Sequence, residues 1–250
     1  MSQIPELMGG RRLSHDAVSD KGWYTRGVGD RVQIFSDFIG GGSLPLDTAG
    51  GEGFVNHDTS GSGAPTLAFQ SAANGVYRMQ FASTSENEYL ATYLGDAVCI
   101  PPTAKAVWEC RIAITGTFSA DDRVVFGLAS ARNNTLDNIA DHVWFRMEGA
   151  NNNILIEGDD DGTTDNDDND TGVDWVSGTF LKLKIDMSDL SDVKYFIDDQ
   201  RVALANNEVI DVSGMAAGDL LQPYIEMQKD SGTVTHIVDI DYISVLWDRS

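Results

Sequence analysis

The sequence predicts an all-β sandwich, and three observations lead to that prediction. Apolar and polar residues alternate with a period of two in several short runs, which is typical of strands with one buried face. Clusters of Gly, Asn, Asp and Ser separate these runs and supply turns. No long segment has the 3.6-residue apolar repeat of an amphipathic helix, so sheets must supply the core.

The alternating runs follow one another from residue 77 to residue 246. The predicted strands lie around residues 77–81, 108–114, 124–128, 181–185, 193–197 and 238–246. Single helical turns are predicted at Thr135–Ala140 and Ser213–Leu220. Trp108 and Trp247 fall in the strongest runs and are expected in the core.

Charge divides the chain into two parts. The 250 residues carry a net charge of -22, but residues 1–33 have a net charge of +1 and the rest carries -23. We therefore predict an N-terminal docking arm over 1–33 and one sandwich domain over 34–250. The acidic body argues against nucleic acid as a partner, and no apolar run reaches the length of a membrane span. Cys99 and Cys110, the two cysteines, are expected to be core thiols, with a disulfide left open.

The segment from Gly178 to Val202 resembles a hairpin of the concanavalin A-like jelly rolls, the laminin-G and lectin-like domains. The stretch Val238–Leu246 is similar to their closing strand. The segment departs from the pattern with Phe180 in place of the usual Trp and Asp199 in place of the turn Gly. The resemblance implies the same jelly-roll fold for about residues 65–248, and the fold alone does not fix a function.

The chain also resembles virion structural proteins of tailed phages, through stretches such as Phe145–Gly149, Glu157–Asp165 and Leu221–Ile225. That resemblance implies a capsid decoration protein that is assembled in the host cytoplasm, located in the virion and expected to self-associate as a homo-oligomer. The arm would contact the major capsid protein or another virion protein through Arg11, Arg12, Trp23, Tyr24, Arg26 and Arg31.

A lectin-like domain that binds a cell-surface glycan is the alternative to the virion role. Aromatic rings stack on sugar faces, and Trp144, Trp175 and Tyr224 are the candidate rings, although tryptophans in a sandwich belong more often to the core. Amides of Asn133, Asn134 and residues 151–153 would supply polar contacts.

A glycoside hydrolase ranks third, and we predict that the chain is not an enzyme. Glycosidases of this fold place carboxylates on alternate residues of one strand, in the pattern E-x-D-x-x-E. The nearest match begins at Glu157 and lacks the last carboxylate, while Glu148 and Glu157 are each expected to stand alone on a strand. No histidine lies in a nucleophile motif such as G-x-S-x-G, and His142 is expected to be structural.

Residues 157–174 hold nine carboxylates and no Lys or Arg, and we expect a solvated loop there. The spacing of Glu157, Asp159, Asp161 and Asp168 imitates a calcium loop, so a Ca²⁺ site is a weaker possibility; otherwise no cofactor is expected. An acidic docking surface for a basic neighbour is the third possibility.

Overall fold

The computed structural model describes residues 31–39, 44–45, 53–72, 75–116, 118–161, 165–205 and 208–249. Within them the regular structure consists of fifteen strands and two short 3-10 helices, Pro102–Ala104 and Leu136–Asn138. The strands are β1 (Arg31–Ser36), β2 (Val55–Asp58), β3 (Thr66–Gln70), β4 (Val76–Gln80), β5 (Glu88–Tyr93), β6 (Val107–Thr115), β7 (Arg123–Ala129), β8 (Asp141–Glu148), β9 (Asn153–Asp160), β10 (Asp165–Asp174), β11 (Phe180–Asp186), β12 (Lys194–Ile197), β13 (Gln200–Arg201), β14 (Gln222–Lys229) and β15 (Ile237–Asp248). A search of these residues for a helix with the length and hydropathy of a membrane span finds none.

The strands form two antiparallel sheets. The eight-stranded sheet has the order β13-β12-β11-β6-β15-β4-β3, with β1 paired to the last part of β15. The seven-stranded sheet has the order β10-β9-β8-β7-β14-β5-β2. Several neighbours are distant in sequence, since β14 lies between β5 and β7. The predicted all-β sandwich is therefore confirmed.

The core lies between the sheets and is built from the alternating residues of both. Trp108 on β6 and Phe126 and Phe145 on the seven-stranded sheet are fully buried there, and Trp247 is 7% exposed. Burial of each such side chain contributes about 1.5–3 kcal/mol to stability. The alternation in the sequence thus identified the inward faces correctly.

The β12–β13 hairpin shows how the chain meets a demanding turn without glycine. Asp198 and Asp199 have φ values of 48° and 65°, the two positive values of a type I′ turn. Aspartate tolerates this region better than most residues, because its short side chain bonds locally. The Asp198 carboxylate accepts a hydrogen bond from the amide of Lys182 at 2.9 Å. The departure at Asp199 is therefore compatible with the hairpin expected from the resemblance.

The acidic segment 157–174 is a hairpin rather than the predicted loop. Strands β9 and β10 pair from Asp165 and Asp159 to Asp174 and Asn153, with two irregularities in register. Strand β10 is the edge of its sheet, where the exposed carboxylates of Asp168, Asp170 and Asp174 oppose pairing with another chain. The prediction of a loop was wrong because main-chain pairing does not require apolar side chains at a solvated edge.

The two cysteines are not bonded to each other. Cys110 is buried in the core, and burial raises the pKa of its thiol well above the ordinary value. Cys99 is exposed, which corrects its expected place in the core. It lies in the segment between β5 and the first 3-10 helix, outside the alternating pattern that buries Cys110.

The predicted arm falls almost wholly outside the described residues, and this holds for Arg11, Arg12, Trp23, Tyr24 and Arg26. Arg31 is described and begins β1, where its Nε lies 2.8 Å from a carboxylate oxygen of Asp248. Residues 31–33, assigned to the arm from the sequence, are therefore part of a strand of the sandwich.

Candidate functional site

One row of side chains crosses the outer face of the seven-stranded sheet. The register places Tyr93, Tyr224, Gly127, Trp144 and Glu157 directly opposite one another on five successive strands. Directly opposed residues share a face, so the row joins three aromatic rings and a carboxyl group. These residues lie far apart in sequence, and only the strand order brings them together.

Gly127 allows the two central rings to approach. A Cβ atom at this position would lie 2.2 Å from the carbonyl oxygen of Val143 and 2.8 Å from the Cβ of Trp144. The ring centroids of Trp144 and Tyr224 are 6.4 Å apart with an interplanar angle of 28°. On the other side of Trp144, the imidazole of His142 stacks at 3.7 Å. A row of stacked rings therefore lies on this face of the sheet.

Residues 131–140, which we call the strap, connect β7 to β8 and fold over these rings. Leu136 and Ile139 of the strap are buried in an apolar cluster with Trp144 and Tyr224. The strap is also tied down by charge, because Arg132 binds the buried carboxylate of Glu226 through Nε at 2.9 Å and Nη2 at 3.1 Å. Trp144 and Tyr224 are consequently fully buried.

Arg146 is the centre of the polar part of the site. Its Nη1 lies 2.7 Å from a carboxylate oxygen of Asp137 on the strap and 3.1 Å from one of Glu157. Its Nη2 lies 2.6 Å from Glu148. The side chain of Asp137 is 65% exposed and that of Glu148 is 29% exposed. One buried guanidinium therefore holds two carboxylates that reach solvent and one that does not.

The carboxyl group of Glu157 has a strongly raised pKa. Its carboxyl accepts a hydrogen bond from the indole N–H of Trp144 at 2.5 Å. Burial raises the pKa of Glu157 to about 8, although Arg146 and Trp144 lower it, and a hydrogen bond with Asp168 adds to the rise. The protonated carboxyl is thus the donor toward Asp168. A carboxyl group that keeps its proton near neutral pH can serve as a general acid.

A second buried carboxylate, that of Glu226, lies on β14 two residues after Tyr224 and on the same face. Glu226 accepts hydrogen bonds from the Tyr224 hydroxyl, from Gln228 Nε2 at 2.7 Å and from Arg132. Burial raises its pKa, and Arg132 is the strongest opposing influence. Because donors surround it, Glu226 serves to hold the strap and the rings in place.

The structure brings two of the three predicted sugar-binding rings together. Trp144 and Tyr224 are neighbours on the outer face, but the strap covers both. Trp175 lies in the core, with its ring centroid 5.4 Å from that of Phe118. Of the predicted amides, Asn134 joins the site, since it accepts a hydrogen bond from Arg132 Nη1 at 2.8 Å.

The predicted calcium residues do not converge on one point. Glu157 and Asp168 are hydrogen bonded, and Asp159 lies next along the outer face of β9 from Glu157. Asp161 is exposed at the tip of the hairpin with a φ of 60°. A search for three or more Asp, Glu, His or Cys side chains in metal-binding geometry finds none in the described part of the chain.

Glu148 and Glu157 were each expected to stand alone on a strand, and the structure adds a link between the two strands that this expectation did not consider. They lie on neighbouring strands and bind the same planar guanidinium, which limits their carboxylate oxygens to a separation of about 8 Å. Arg146, the residue that joins them, was missed because the motif search followed single strands. Its alternation with Trp144 and Glu148 along β8 was the available signal.

The architecture places the chain among known folds. The fold is a concanavalin A-like jelly roll. A protein of unknown function from Shewanella oneidensis MR-1 superposes with a TM-score of 0.58 at 12% identity, over 95% of this chain and 98% of that one. The endo-1,3-beta-glucanase from Streptomyces sioyaensis has a TM-score of 0.53 at 11% identity, over 94% and 100%. The potassium-bound carbohydrate recognition domain of Emp46p has a TM-score of 0.49 at 12% identity, over 79% and 89%.

Neither a family model nor a curated protein matches the sequence. The similar structures give no support to the virion role. They contradict the prediction that the chain is not an enzyme, because an endo-1,3-beta-glucanase shares the fold over its whole length. The missing E-x-D-x-x-E pattern is therefore no ground for calling this jelly roll non-catalytic. At 11–12% identity the likeness establishes the fold and leaves the function to the site.

Proposed function

We propose that the chain recognises a carbohydrate at the strap-covered face of the seven-stranded sheet. The observation that carries the proposal is the Arg146 group, in which one buried guanidinium orients the carboxylates of Asp137 and Glu148 toward solvent. Paired carboxylates in fixed positions accept hydrogen bonds from vicinal sugar hydroxyls, and their orientation costs no side-chain entropy on binding. The lectin-like alternative of the sequence interpretation is thus the one that this site supports.

The accessible part of the site consists of the strap and the adjoining ends of β8 and β9. Asn133, Asn134 and Asn138 are exposed on the strap beside Asp137. The amide and carboxylate groups at this surface suit a neutral, hydroxyl-rich ligand, and they disfavour a polyanion because no free cation faces solvent among these residues. Binding at this surface leaves the strap in place.

A glycan array followed by calorimetric titration of each hit tests the proposal. We expect Asp137→Asn and Glu148→Gln each to raise the Kd about tenfold or more, since a hydrogen bond to a charged group contributes about 1.5–3 kcal/mol. Asp199→Asn is the matched control, because the Asp199 side chain is 68% exposed and pairs with Lys182 on the other sheet. Equal affinity of all three variants would refute the location, and an array without hits would refute recognition of those glycans.

Cleavage of a glycan at the same face is the second candidate, and the pKa of Glu157 favours it. Glu157 would act as general acid and Glu148 as the second carboxylate. The upper limit of about 8 Å between their bonded oxygens admits the separation of about 5–5.5 Å in retaining glycosidases and the lower part of the range of about 6.5–9.5 Å in inverting ones. Substrate reaches Glu157 only when the strap lifts from Trp144. We expect release of reducing ends that Glu157→Gln abolishes while glycan affinity is retained. Affinity without release in the wild type would leave recognition as the function.

The virion role is a separate proposal that rests on the arm. Its named contacts other than Arg31 lie outside the described residues, so its support is the sequence resemblance alone. Deletion of residues 1–30 preserves β1 and is expected to give a folded protein that no longer joins the particle. Incorporation of the truncated chain at wild-type copy number would refute docking by the arm.

A further inference from the structure

Two aspartates face each other at one end of the sandwich, away from the Arg146 group. Asp141 at the start of β8 is the register partner of Asp160 at the end of β9. By alternation along β8, Asp141 lies on the same side of the sheet as Val143 and Phe145, which belong to the core. The two residues are only 6% and 4% exposed. Like charges directly opposite each other in a sheet are destabilising, and burial increases the cost.

Asp141 has no partner for one of its carboxylate oxygens. Its Oδ1 is buried and accepts no hydrogen bond from the described residues, and none of their lysines or arginines forms an ion pair with it. The contacts of Asp141 with Ser130 involve only the main chain of Asp141. A buried carboxylate oxygen without a donor indicates a missing ligand.

Several other carboxylates influence the charge of Asp141. Asp219, Asp161, Asp159 and Asp160 all act on Asp141, and together with burial, the largest cause, they raise the pKa of Asp141 to about 6. The turn at 213–214 closes the site from the core side. Its amide at Gly214 donates to Asp160 Oδ2 at 2.9 Å, and a Cβ on Gly214 would lie 2.2 Å from that oxygen. The glycine therefore brings main chain directly against the pair.

We propose that Asp141 and Asp160 bind a divalent cation, Ca²⁺, at this end of the sandwich. Ca²⁺ accepts six to eight oxygen ligands in flexible geometry, including carboxylates, main-chain carbonyls and water. The described residues hold no preassembled group of three side-chain ligands, so main-chain and water oxygens complete the shell. Asp219 is the carboxylate whose charge acts most strongly on Asp141. Such a site has the weak affinity of extracellular calcium modules, a Kd of about 10⁻⁴–10⁻³ M.

This site differs from the one that the spacing of the acidic segment suggested. Asp141 was not among those residues, and Glu157 and Asp168 lie on the outer face of β9 and β10, in the Arg146 group. Asp159 and Asp161 flank Asp160 in the sequence, and their negative charges would attract a cation to either of the two locations. A variant at Asp141 and a variant at Asp168 therefore distinguish the two locations.

Thermal unfolding of the full chain with CaCl₂ up to about 10 mM tests the proposal, with EDTA and NaCl of equal ionic strength as references. The NaCl reference is essential because any salt screens a net charge of -22. We expect Ca²⁺ to raise the Tm by about 3 °C or more beyond NaCl. Asp141→Asn should lose this increment and, in EDTA, be at least as stable as the wild type, because it removes the repulsion. Asp168→Asn should keep the increment.

Three outcomes overturn the proposal. The first is that NaCl reproduces the whole effect in the wild type, the second is that Asp141→Asn retains the increment, and the third is that Asp168→Asn loses it instead of Asp141→Asn. Equilibrium dialysis of the wild type against radioactive Ca²⁺ provides a measurement that needs no variant. About one ion bound per chain in excess NaCl supports the site, and no bound ion refutes it. Asp160→Asn, which keeps the acceptor for Gly214, repeats the test should Asp141→Asn fail to fold.

Discussion

Glu157→Gln should remove a pH dependence of stability that the wild type shows. The folded protein holds the proton of Glu157 up to a pKa of about 8, against an ordinary value of 4.5. A carboxyl whose pKa is raised on folding stabilises the protein fully below the ordinary pKa, and this contribution is lost as the pH rises through the folded value. Glutamine is neutral at every pH and therefore has no such loss.

The expected size follows from linkage. Between pH of about 6.5 and about 8.5 the unfolded chain stays ionised at this position, while the folded chain loses its proton around a pH of about 8. The free energy of unfolding of the wild type should then fall by about 2 kcal/mol more than that of Glu157→Gln. The window lies above the pKa of about 6 of Asp141, another carboxyl with a raised pKa.

Urea denaturation at both pH values, for wild type and variant side by side, measures this difference. Other titrating groups contribute equally to both proteins and cancel in the comparison. Glu148→Gln is the control, since it removes the other glutamate on Arg146 and leaves Glu157 in place, and it should keep most of the wild-type loss. The same pH dependence in wild type and Glu157→Gln would refute a protonated Glu157 and, with it, the general acid of the second candidate function.

Two further predictions concern buried groups of the seven-stranded sheet. Lys229→Met should reduce the free energy of unfolding in urea by about 3–5 kcal/mol, because the Lys229 ammonium lies 2.9 Å from Glu88 and both side chains are fully buried. Adding Glu88→Gln should recover part of this loss, and no recovery would show that the pair is not the cause. Gly127→Ala should lower the Tm and cost at least about 3 kcal/mol, since its Cβ would overlap the Val143 carbonyl; a variant of wild-type stability would contradict the close approach of β7 and β8.

The strands and the core could be predicted because both depend on local alternation. Trp108 and Trp247 were assigned correctly from their runs alone, and the resemblance carried by Gly178–Val202 gave the right hairpin despite Asp199. The sheet order was not predictable in the same way. Nothing in the residues of β14 indicates that it lies between β5 and β7, because pairing depends on the packing of the whole sandwich.

The candidate site was missed for the same physical reason. Its residues were sought along single strands, where Glu148 and Glu157 look isolated, but the site is assembled across strands by register. Trp144 and Tyr224 were chosen for their rings, and the prediction did not anticipate that the strap would cover them. The strap itself is polar in sequence apart from Leu136 and Ile139, which alone indicate that it packs on something.

The distribution of positive charge connects the two proposals. The chain has 17 lysines and arginines against 39 aspartates and glutamates, so carboxylates outnumber cations by more than two to one. Two of these arginines, Arg132 and Arg146, are buried beneath or within the strap, where they hold carboxylates in fixed positions. Asp141 is buried at the sandwich end without such a partner. Where the chain supplies the cation, carboxylates are oriented for a neutral ligand, and where it supplies none, the cation is expected to come from solvent.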